Sequence, residues 1–258
     1  VGPYRGAGRP EASLAIEKVI DTAAIEMGFD RVELRRLNLI PPDAIPYQTG
    51  LIFNYDSGNF PDVLDKAVKL SDYDNFEERR AESAARGQLR GIGIAFAIEQ
   101  SAAPIEETAE IRFDGSGHCT ILMGTLAQGQ GHDVTFKQLI NEMLGVELNN
   151  ITLLQGDTDI VAHGPGTFGS RSAGNGGAAL QIASDRIIEH GKKIASHMLE
   201  AADTDIIFKD GKFSVMGTDH SVRIEEVAQT AYALMVLPPD IEPTLVAFAA
   251  FKPKAPTF

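Results

Sequence analysis

Four parts of the chain carry apolar residues three or four positions apart, which is the spacing of an amphipathic helix. These parts are residues 10–27, 60–86, 133–144 and 173–198, and the second is interrupted at Tyr73-Asp74-Asn75. Gly28 and Gly145 follow the first and third of them, and glycine commonly ends a helix because it adopts the left-handed conformation without strain. Between residues 29 and 58, prolines and glycines predict irregular structure after one short helix.

Strand patterns fill most of the remaining chain. One strand is predicted where Ile92, Ile94, Phe96 and Ile98 alternate with smaller residues. Two hairpins are predicted, the first from residues 109–113 and 119–123 and the second from residues 206–209 and 213–216. A further single strand is predicted at residues 151–154. Helices and strands in this order predict an α+β fold of mixed sheets with packed helices. We divide it into residues 1–90, a loop followed by a helical segment, and residues 91–258, an α+β segment, as parts of one larger unit.

The composition narrows the class of protein. With 43% hydrophobic and 23% charged residues over 258 positions, the chain can bury a sizeable core. Its formal charge of -13 argues against nucleic-acid binding, which needs clustered Lys and Arg. No apolar run approaches the ~18 residues that cross a bilayer, so a cytoplasmic protein is expected. Because the chain opens on Val1 inside a glycine-rich loop, we expect a fragment or split subunit of something longer.

Cysteine and paired acidic residues give little sign of catalysis. Cys119 is the single cysteine, which excludes an internal disulfide and a Cys-ligated cluster held by this chain alone. We predict that it fills the core. The carboxylate pair Glu106-Glu107 is predicted to be solvated surface.

Three glycine-rich loops differ from ordinary turns, because each combines backbone amides with polar side chains just before a predicted helix. They are Gly2-Pro3-Tyr4-Arg5-Gly6-Ala7-Gly8-Arg9-Pro10-Glu11, Gln128-Gly129-Gln130-Gly131-His132 and Gly164-Pro165-Gly166-Thr167-Phe168-Gly169-Ser170-Arg171-Ser172. Backbone N–H groups at a helix N-terminus attract anions. One such loop is usually only a turn, but the three together predict a site for a large phosphorylated cofactor.

The side chains of the second and third loops suit such a ligand. Hydroxyls and one positive charge in the third loop can bind phosphate, and the groups are those of Thr167, Ser170, Ser172 and Arg171. This loop lacks the Gly-Lys-Ser/Thr of a Walker A motif. Gln128 and Gln130 flank a glycine, and their carboxamides both donate and accept, as the edge of a pterin ring requires.

Two residues keep alternative roles open. His132 could contact a ligand or, as is commoner for a histidine at a helix start, cap the helix or pack against it. Arg5 could stabilise an oxyanion or orient a carbonyl substrate, or form a salt bridge at the start of the first helix. The other histidines show no metal-ligand spacing, so we predict no metal ion held by protein side chains.

These three loops, in this order and over essentially the whole chain, resemble the molybdenum-binding subunit of the xanthine oxidase family of molybdenum hydroxylases, especially its carbon monoxide dehydrogenase-like form II branch. The resemblance implies an active-site loop formed by Arg5, Gly6, Ala7, Gly8 and Arg9. It implies that Gln128, Gly129, Gln130, Gly131 and His132 lie along the pterin and dinucleotide, and that Thr167, Phe168, Gly169, Ser170, Arg171 and Ser172 bind the dinucleotide end or the dithiolene side. The implied cofactor is molybdenum with molybdopterin cytosine dinucleotide. Because residues 6–8 contain no cysteine, copper-dependent oxidation of carbon monoxide is not expected.

The resemblance also implies a chemistry. Members of the family hydroxylate a carbon of an aromatic heterocycle, purine or aldehyde with oxygen from water, and electrons leave through [2Fe-2S] clusters and FAD on partner subunits or domains. Arg5 matches the arginine that orients substrate in purine-oxidising members. Phe96 aligns with an aromatic residue that stacks on the substrate, although packing in the core is the alternative.

The chain departs from the family pattern in two places. The glutamate that serves the family as general base, in a Gly-Glu-Pro-Pro context, is absent, and so is a glutamine-bearing loop that normally precedes the first motif. We therefore expect as partners the remaining segments of the molybdenum subunit, an iron–sulfur subunit and a flavin subunit. Without them the chain is expected to be inactive.

Two other functions stay open, and the sequence does not choose a substrate. A non-catalytic structural relative could keep the fold without the chemistry, as the missing glutamate would allow. An unrelated nucleotide-binding enzyme could use residues 167–172 without molybdenum. The joint presence of Arg5, Gln128, Gln130 and Arg171 favours the hydroxylase, because a structural relative has no need of all four.

Overall fold

The computed structural model describes residues 5–233 and 236–258, so Gly2, Pro3 and Tyr4 of the first loop lie outside the described residues. The chain divides into two compact units, Val1–Gln100 with Thr257–Phe258, and Ser101–Pro256. The sequence pattern assigns residues 91–100 to the second segment, whereas the structure groups them with the first unit.

The described part of the first unit is mainly helical. It contains α1 (Arg9–Met27), α2 (Arg31–Arg36), β1 (Tyr47–Gln48) paired with β2 (Asn54–Tyr55), α3 (Phe60–Leu70) and α4 (Phe76–Ala85). α1 ends at Gly28, whose φ of 73° is left-handed, as predicted. The helical segment predicted over residues 60–86 forms as α3 and α4, and its predicted interruption is confirmed by a 3-10 turn at Tyr73–Asn75 between them.

A buried arginine joins the first two helices. Arg35 of α2 is 4% exposed, and it donates hydrogen bonds from Nε to Glu17 (2.8 Å) and from Nη2 to Asp21 (3.0 Å), both on α1. A buried guanidinium is tolerated only where carboxylates and carbonyls satisfy it. The short α2 is therefore held by charge pairing of Arg35 together with burial of Val32.

The strand predicted over Ile92, Ile94, Phe96 and Ile98 is wrong, because residues 91–100 have no strand partner. Instead, the carbonyl oxygen of Ile94 accepts from Arg35 (3.2 Å) and that of Ile92 accepts from Arg31 (3.2 Å). This backbone therefore accepts hydrogen bonds from side chains of α2, where a β-strand would accept them from a neighbouring strand. These contacts also explain why residues 91–100 belong to the first unit.

The second unit contains two sheets and three helices among its described residues. In chain order they are β3 (Glu107–Phe113), β4 (Cys119–Met123), α5 (His132–Leu144), β5 (Ile151–Gln155), α6 (Gly177–Met198), β6 (Ile206–Lys209), β7 (Lys212–Val215), β8 (Ser221–Arg223), α7 (Ile224–Ala231) and β9 (Val246–Phe251). The larger sheet has the order β5-β4-β3-β9, and the smaller one β6-β7-β8. Both predicted hairpins form, as β3-β4 and β6-β7, and the predicted α+β class is confirmed.

The core of the second unit lies between the larger sheet and its helices. Ile111 and Ile121 are opposite each other on β3 and β4, and both are fully buried. Phe136 of α5 and Ile187 of α6 belong to the same cluster. Cys119 is also fully buried in it, so its predicted role in the core is confirmed.

The sheet order brings two polar loops to one edge of the second unit. β4 and β5 are parallel neighbours, with Met123 opposite Gln155. Because parallel strands end at the same edge of a sheet, the loops that follow them meet there. The first leads into α5, and the second leads through a π-helical turn, Ser172–Gly176, into α6. None of the described helices is both long and apolar enough to span a membrane.

Candidate functional site

Two loops at this edge touch each other through glycines. We call residues 124–131 the glutamine loop and residues 163–172 the arginine loop. A Cβ added to Gly164 would lie 2.5 Å from the carbonyl oxygen of Gly124, so the two backbones approach as closely as only glycine permits. Beside this contact, Thr108 Oγ1 of β3 donates to the carbonyl oxygen of His163 (2.9 Å).

A threonine ties the two loops together a second time. The Thr167 hydroxyl accepts a hydrogen bond from the Leu126 amide (2.7 Å) and donates one to the Leu126 carbonyl oxygen (2.5 Å). A threonine hydroxyl can donate once and accept at the same time, so one side chain satisfies both backbone groups. Thr167 was predicted to bind phosphate through this hydroxyl, but in the structure the hydroxyl joins the loops.

The two glutamines of the glutamine loop play different parts. Gln130 folds back, accepting from the Gln128 amide and donating to the Leu126 carbonyl oxygen (3.2 Å), which closes the loop on itself. The side chain of Gln128 is exposed and has no partner among the described residues. Gly129 and Gly131 have φ values of 92° and 80°, with open space where a side chain would stand. Only Gln128 therefore presents a free carboxamide to a ligand.

His132 is a buried, neutral group at the first position of α5. It is 4% exposed, and its Nδ1 lies 3.2 Å from Gln155 Nε2. Burial lowers the pKa of His132 below its ordinary value. Because a carboxamide nitrogen only donates, Nδ1 accepts and the ring proton stands on Nε2. That Nε2 is buried and has no acceptor within the described chain.

A buried ion pair lies beneath the arginine loop. Arg171 is 1% exposed, and its Nε contacts Oε1 of Glu107, which is 0% exposed, at the start of β3. Burial raises the pKa of the Glu107 carboxyl, although the guanidinium opposes this effect. The guanidinium also lies over the ring of Phe168, 3.9 Å from its centre. Because the Arg171 side chain is buried, its guanidinium offers no exposed atom for the predicted direct contact with a cofactor.

The two terminal nitrogens of Arg171 bind the backbone of its own loop. Nη2 donates to the Gly166 carbonyl oxygen (2.6 Å) and Nη1 to that of Phe168 (2.7 Å). The next two carbonyl oxygens, of Gly169 and Ser170, accept from residues 103 and 102 (3.3 and 3.0 Å). The carbonyls of residue 166 and residues 168–170 thus face the protein. The amides of Thr167, Phe168 and Gly169 have no acceptor among the described residues.

This arrangement suits an anion. Amides that point away from the protein in a loop with left-handed residues form a concave site of partial positive charge, a nest, and Gly166, Gly169 and Ser170 have φ values of 89°, 68° and 50°. The buried hydroxyl of Ser172 also lacks a partner in the described chain. These orphaned donors fit a phosphate or a pyrophosphate.

The remaining predicted site residues belong to the first unit. Arg5 is exposed and has no partner among the described residues, and Gly6, Ala7 and Gly8 have left-handed φ values of 96°, 48° and 94°. Arg9 forms an ion pair with Glu99 (3.2 Å), with both side chains half exposed. Phe96 is partly buried. Within the described residues, no three His, Cys, Asp or Glu side chains come together as a possible metal site.

Sequence reasoning missed three residues of the site: Glu107, Thr108 and Gln155. The prediction that Glu107 is solvated is wrong, because its side chain lies under the arginine loop and only Glu106 is exposed. The alternation of β3 could have revealed it, since Glu107 shares a face with the buried Ala109 and Ile111.

Family models and curated relatives agree on one kind of protein. Residues 66–257 and residues 1–39 each match a family model described as a molybdopterin cofactor-binding domain. The carbon monoxide dehydrogenase large chain of Afipia carboxidovorans is 35% identical over 96% of this chain and 33% of its own length. The 6-hydroxypseudooxynicotine dehydrogenase complex subunit gamma of Paenarthrobacter nicotinovorans is 29% identical over 97% of this chain and 32% of its own.

Solved structures share the fold. Quinoline 2-oxidoreductase from Pseudomonas putida 86 matches with a TM-score of 0.82 and 29% identity, over 99% of this chain and 34% of that one. Reconstituted CO dehydrogenase from Oligotropha carboxidovorans matches with a TM-score of 0.78 and 35% identity, over 96% and 33%. The chain therefore spans about a third of the length of these relatives.

Proposed function

The chain belongs to the molybdopterin cofactor-binding domain family, and on that premise we propose that it binds a molybdenum–molybdopterin cofactor as part of a molybdenum hydroxylase. The observation that carries the proposal is the arginine loop, whose carbonyls at residues 166 and 168–170 face the protein while the amides of residues 167–169 lack acceptors among the described residues. The glutamine loop lies against it, so one elongated anionic ligand could contact both.

The residues favour the dinucleotide form of the cofactor. The amides of Thr167, Phe168 and Gly169 and the hydroxyl of Ser172 would hold the pyrophosphate that joins the pterin to cytidine. The free carboxamide of Gln128 would pair with the edge of the pterin ring, because that edge needs both a donor and an acceptor.

Arg5 and Phe96 would meet the substrate. When bound, the cofactor supplies hydroxylation of a substrate carbon with oxygen from water. The exposed guanidinium of Arg5 would orient an aromatic heterocycle, a purine or an aldehyde and stabilise negative charge that develops on it. Phe96 would stack on the substrate ring.

The whole enzyme would need further chains. The relatives include a large chain, a large subunit and a subunit gamma of a complex. We therefore propose as partners the remaining segments of the molybdenum subunit, which would carry the general base, and subunits with [2Fe-2S] clusters and FAD. Electrons from the hydroxylation would leave through these groups.

Metal and nucleotide analysis tests the proposal directly. The protein would be purified with its companion chains from its native host, and molybdenum would be measured by mass spectrometry and CMP after acid hydrolysis. We expect about one of each per chain. Preparations with intact companion chains but neither molybdenum nor CMP would refute the proposal.

A pair of threonine variants locates the site. Thr167→Val removes both hydrogen bonds that join the loops, and at about 1 kcal/mol for each bond the molybdenum retained after dialysis should fall roughly 10-fold or more. Thr218→Val is the matched control, because its hydroxyl also makes two backbone hydrogen bonds, donating to the Val215 carbonyl oxygen and accepting from the His220 amide, in an exposed turn. Equal retention in both variants would show that the contact of the two loops does not serve binding.

A further inference from the structure

Glu107 has no place in the proposed cofactor contacts, yet it is a carboxylate with no exposure at all. Its Oε1 forms an ion pair with Arg171 Nε, and neither carboxylate oxygen has a partner with hydrogen-bond geometry in the described chain. Removing two charges from water is costly, and an apolar pair of similar volume is often as stable. The stability of the fold therefore does not explain why this ion pair is here.

The orientation of peptide groups offers an explanation. In a trans peptide the C=O of one residue and the N–H of the next point in opposite directions. Arg171 attracts the carbonyl oxygens of Gly166 and Phe168. The amides of Thr167 and Gly169 must then face away from the guanidinium, and both lack acceptors among the described residues.

We infer that Glu107 is a positioning residue: it fixes Arg171 through Nε, and Arg171 turns two peptide groups of the arginine loop so that their N–H groups face an anionic ligand. This inference rests on the proposed function for the identity of that ligand, a pyrophosphate group. Arg171 thus acts on the ligand through the backbone. Its own charge is matched by Glu107.

The fork of the guanidinium is needed for this role. Arg171 uses Nε, Nη1 and Nη2 for three different oxygens, and a lysine ammonium cannot match that planar arrangement. Arg171→Lys keeps the charge beside Glu107 and loses the geometry. The double variant Glu107→Leu/Arg171→Met removes both charges, so that no unpaired charge is left buried.

Hydrogen exchange reports the loop without any ligand. The amides of Ala102 and Ala103 donate to the carbonyl oxygens of Ser170 and Gly169, so their protection follows the conformation of the arginine loop. We expect both amides to exchange on the order of 10-fold faster in Arg171→Lys and in the double variant. The amide of Ile111 in β3 should stay protected, which shows that the sheet is intact. Arg112→Lys, at an exposed pair with Glu110, is the control and should match the wild type.

Binding of cytidine diphosphate, measured by calorimetry, provides the second readout. The affinity for cytidine diphosphate should fall about 10-fold or more in Arg171→Lys and in the double variant. This loss is expected even if the double variant has the melting temperature of the wild type. Wild-type exchange and affinity in a folded double variant would overturn the inference, since the pair would then serve stability alone. If the double variant does not fold, Arg171→Lys decides in the same way. The two proposals can fail separately. If the wild-type chain neither binds cytidine diphosphate nor contains CMP, the proposed function is refuted. If the amide of Ala102 still exchanges faster in the variants, the positioning role of Glu107 and Arg171 is kept.

Discussion

The contact between Gly124 and Gly164 makes a strong prediction about the site. Substituting Gly164→Ala adds one methyl group that would lie 2.5 Å from the Gly124 carbonyl oxygen and 2.8 Å from its Cα. Both atoms belong to backbone, so no side chain can rotate away. Gly164 does not have a left-handed φ, and the cost of alanine is therefore steric.

The size of the effect follows from the geometry. Real Cβ atoms essentially never approach a neighbour more closely than 3.0 Å, so the loops must separate by at least about half an ångström. Overpacking of this kind costs about 1–3 kcal/mol. For a unit of this size that corresponds to a melting temperature roughly 2–10 °C lower. Separation should also weaken the hydrogen bond from Thr108 Oγ1 to the His163 carbonyl oxygen.

Calorimetry and cofactor analysis together test this reasoning. Gly164→Ala should lower the melting temperature and the molybdenum content of the purified protein. Gly93→Ala is the control, because it has open space at Cβ and no left-handed φ, and it should match the wild type. If Gly164→Ala melts like Gly93→Ala and retains full molybdenum, the close approach of the two loops does not shape the site.

Three further predictions concern buried groups. Burial raises the pKa of Cys119 to about 12. The native thiol should therefore resist Ellman's reagent and react only after the protein is unfolded in guanidinium. Rapid labelling of the native protein would contradict the burial of Cys119. Burial lowers the pKa of His132 below its ordinary value of 6.5, so the unfolded chain takes up this proton more readily and stability is lost as the pH falls below about 6.5. The loss between pH 7.5 and 5.5, measured by urea unfolding, should be smaller in His132→Asn, while His220→Asn, at an exposed side chain, should resemble the wild type. Arg35→Met leaves Glu17 and Asp21 without their buried partner and should cost the first unit about 3–5 kcal/mol in urea unfolding followed by circular dichroism. The exposed Arg80→Met should cost little, and equal losses in the two variants would count against the buried network.

Local signals predicted the elements that form from neighbouring residues. Asp210 and Gly211 have φ values of 49° and 75°, as a two-residue hairpin turn requires, and Gly145 ends α5 with a φ of 66°. The strand predicted from Ile92 to Ile98 failed because alternation shows only which faces a segment presents. It does not show whether another strand lies beside it, and here the partners are arginine side chains 59 and 61 residues away in sequence.

The sequence predicted where the glycine-rich loops lie, but not which groups their polar side chains contact. The glycines marked both loops correctly, since their left-handed conformations are a local property. The use of Thr167 and Arg171 inside the loops could not be predicted, because it depends on Leu126 and Glu107 being brought close by the order of the strands. Gln130 instead bonds to Leu126 four residues earlier, within its own loop. Thr167, Gln130 and Arg171 thus hydrogen-bond to backbone groups of the two loops, which leaves these groups of the three side chains unavailable to a ligand.

The use of these side chains within the loops bears on how a chain of formal charge -13 would bind the proposed anionic ligand. The one guanidinium under the arginine loop is paired with Glu107, so it adds no net charge to the site. In the proposed function the attraction would come instead from amide dipoles, which act over a few ångströms and are fixed in direction by hydrogen bonds on their carbonyl side. Charges elsewhere on an acidic surface are screened over about 8–10 Å at moderate ionic strength. The proposed anion binding would thus depend on local backbone orientation, and charges beyond that distance would oppose it little.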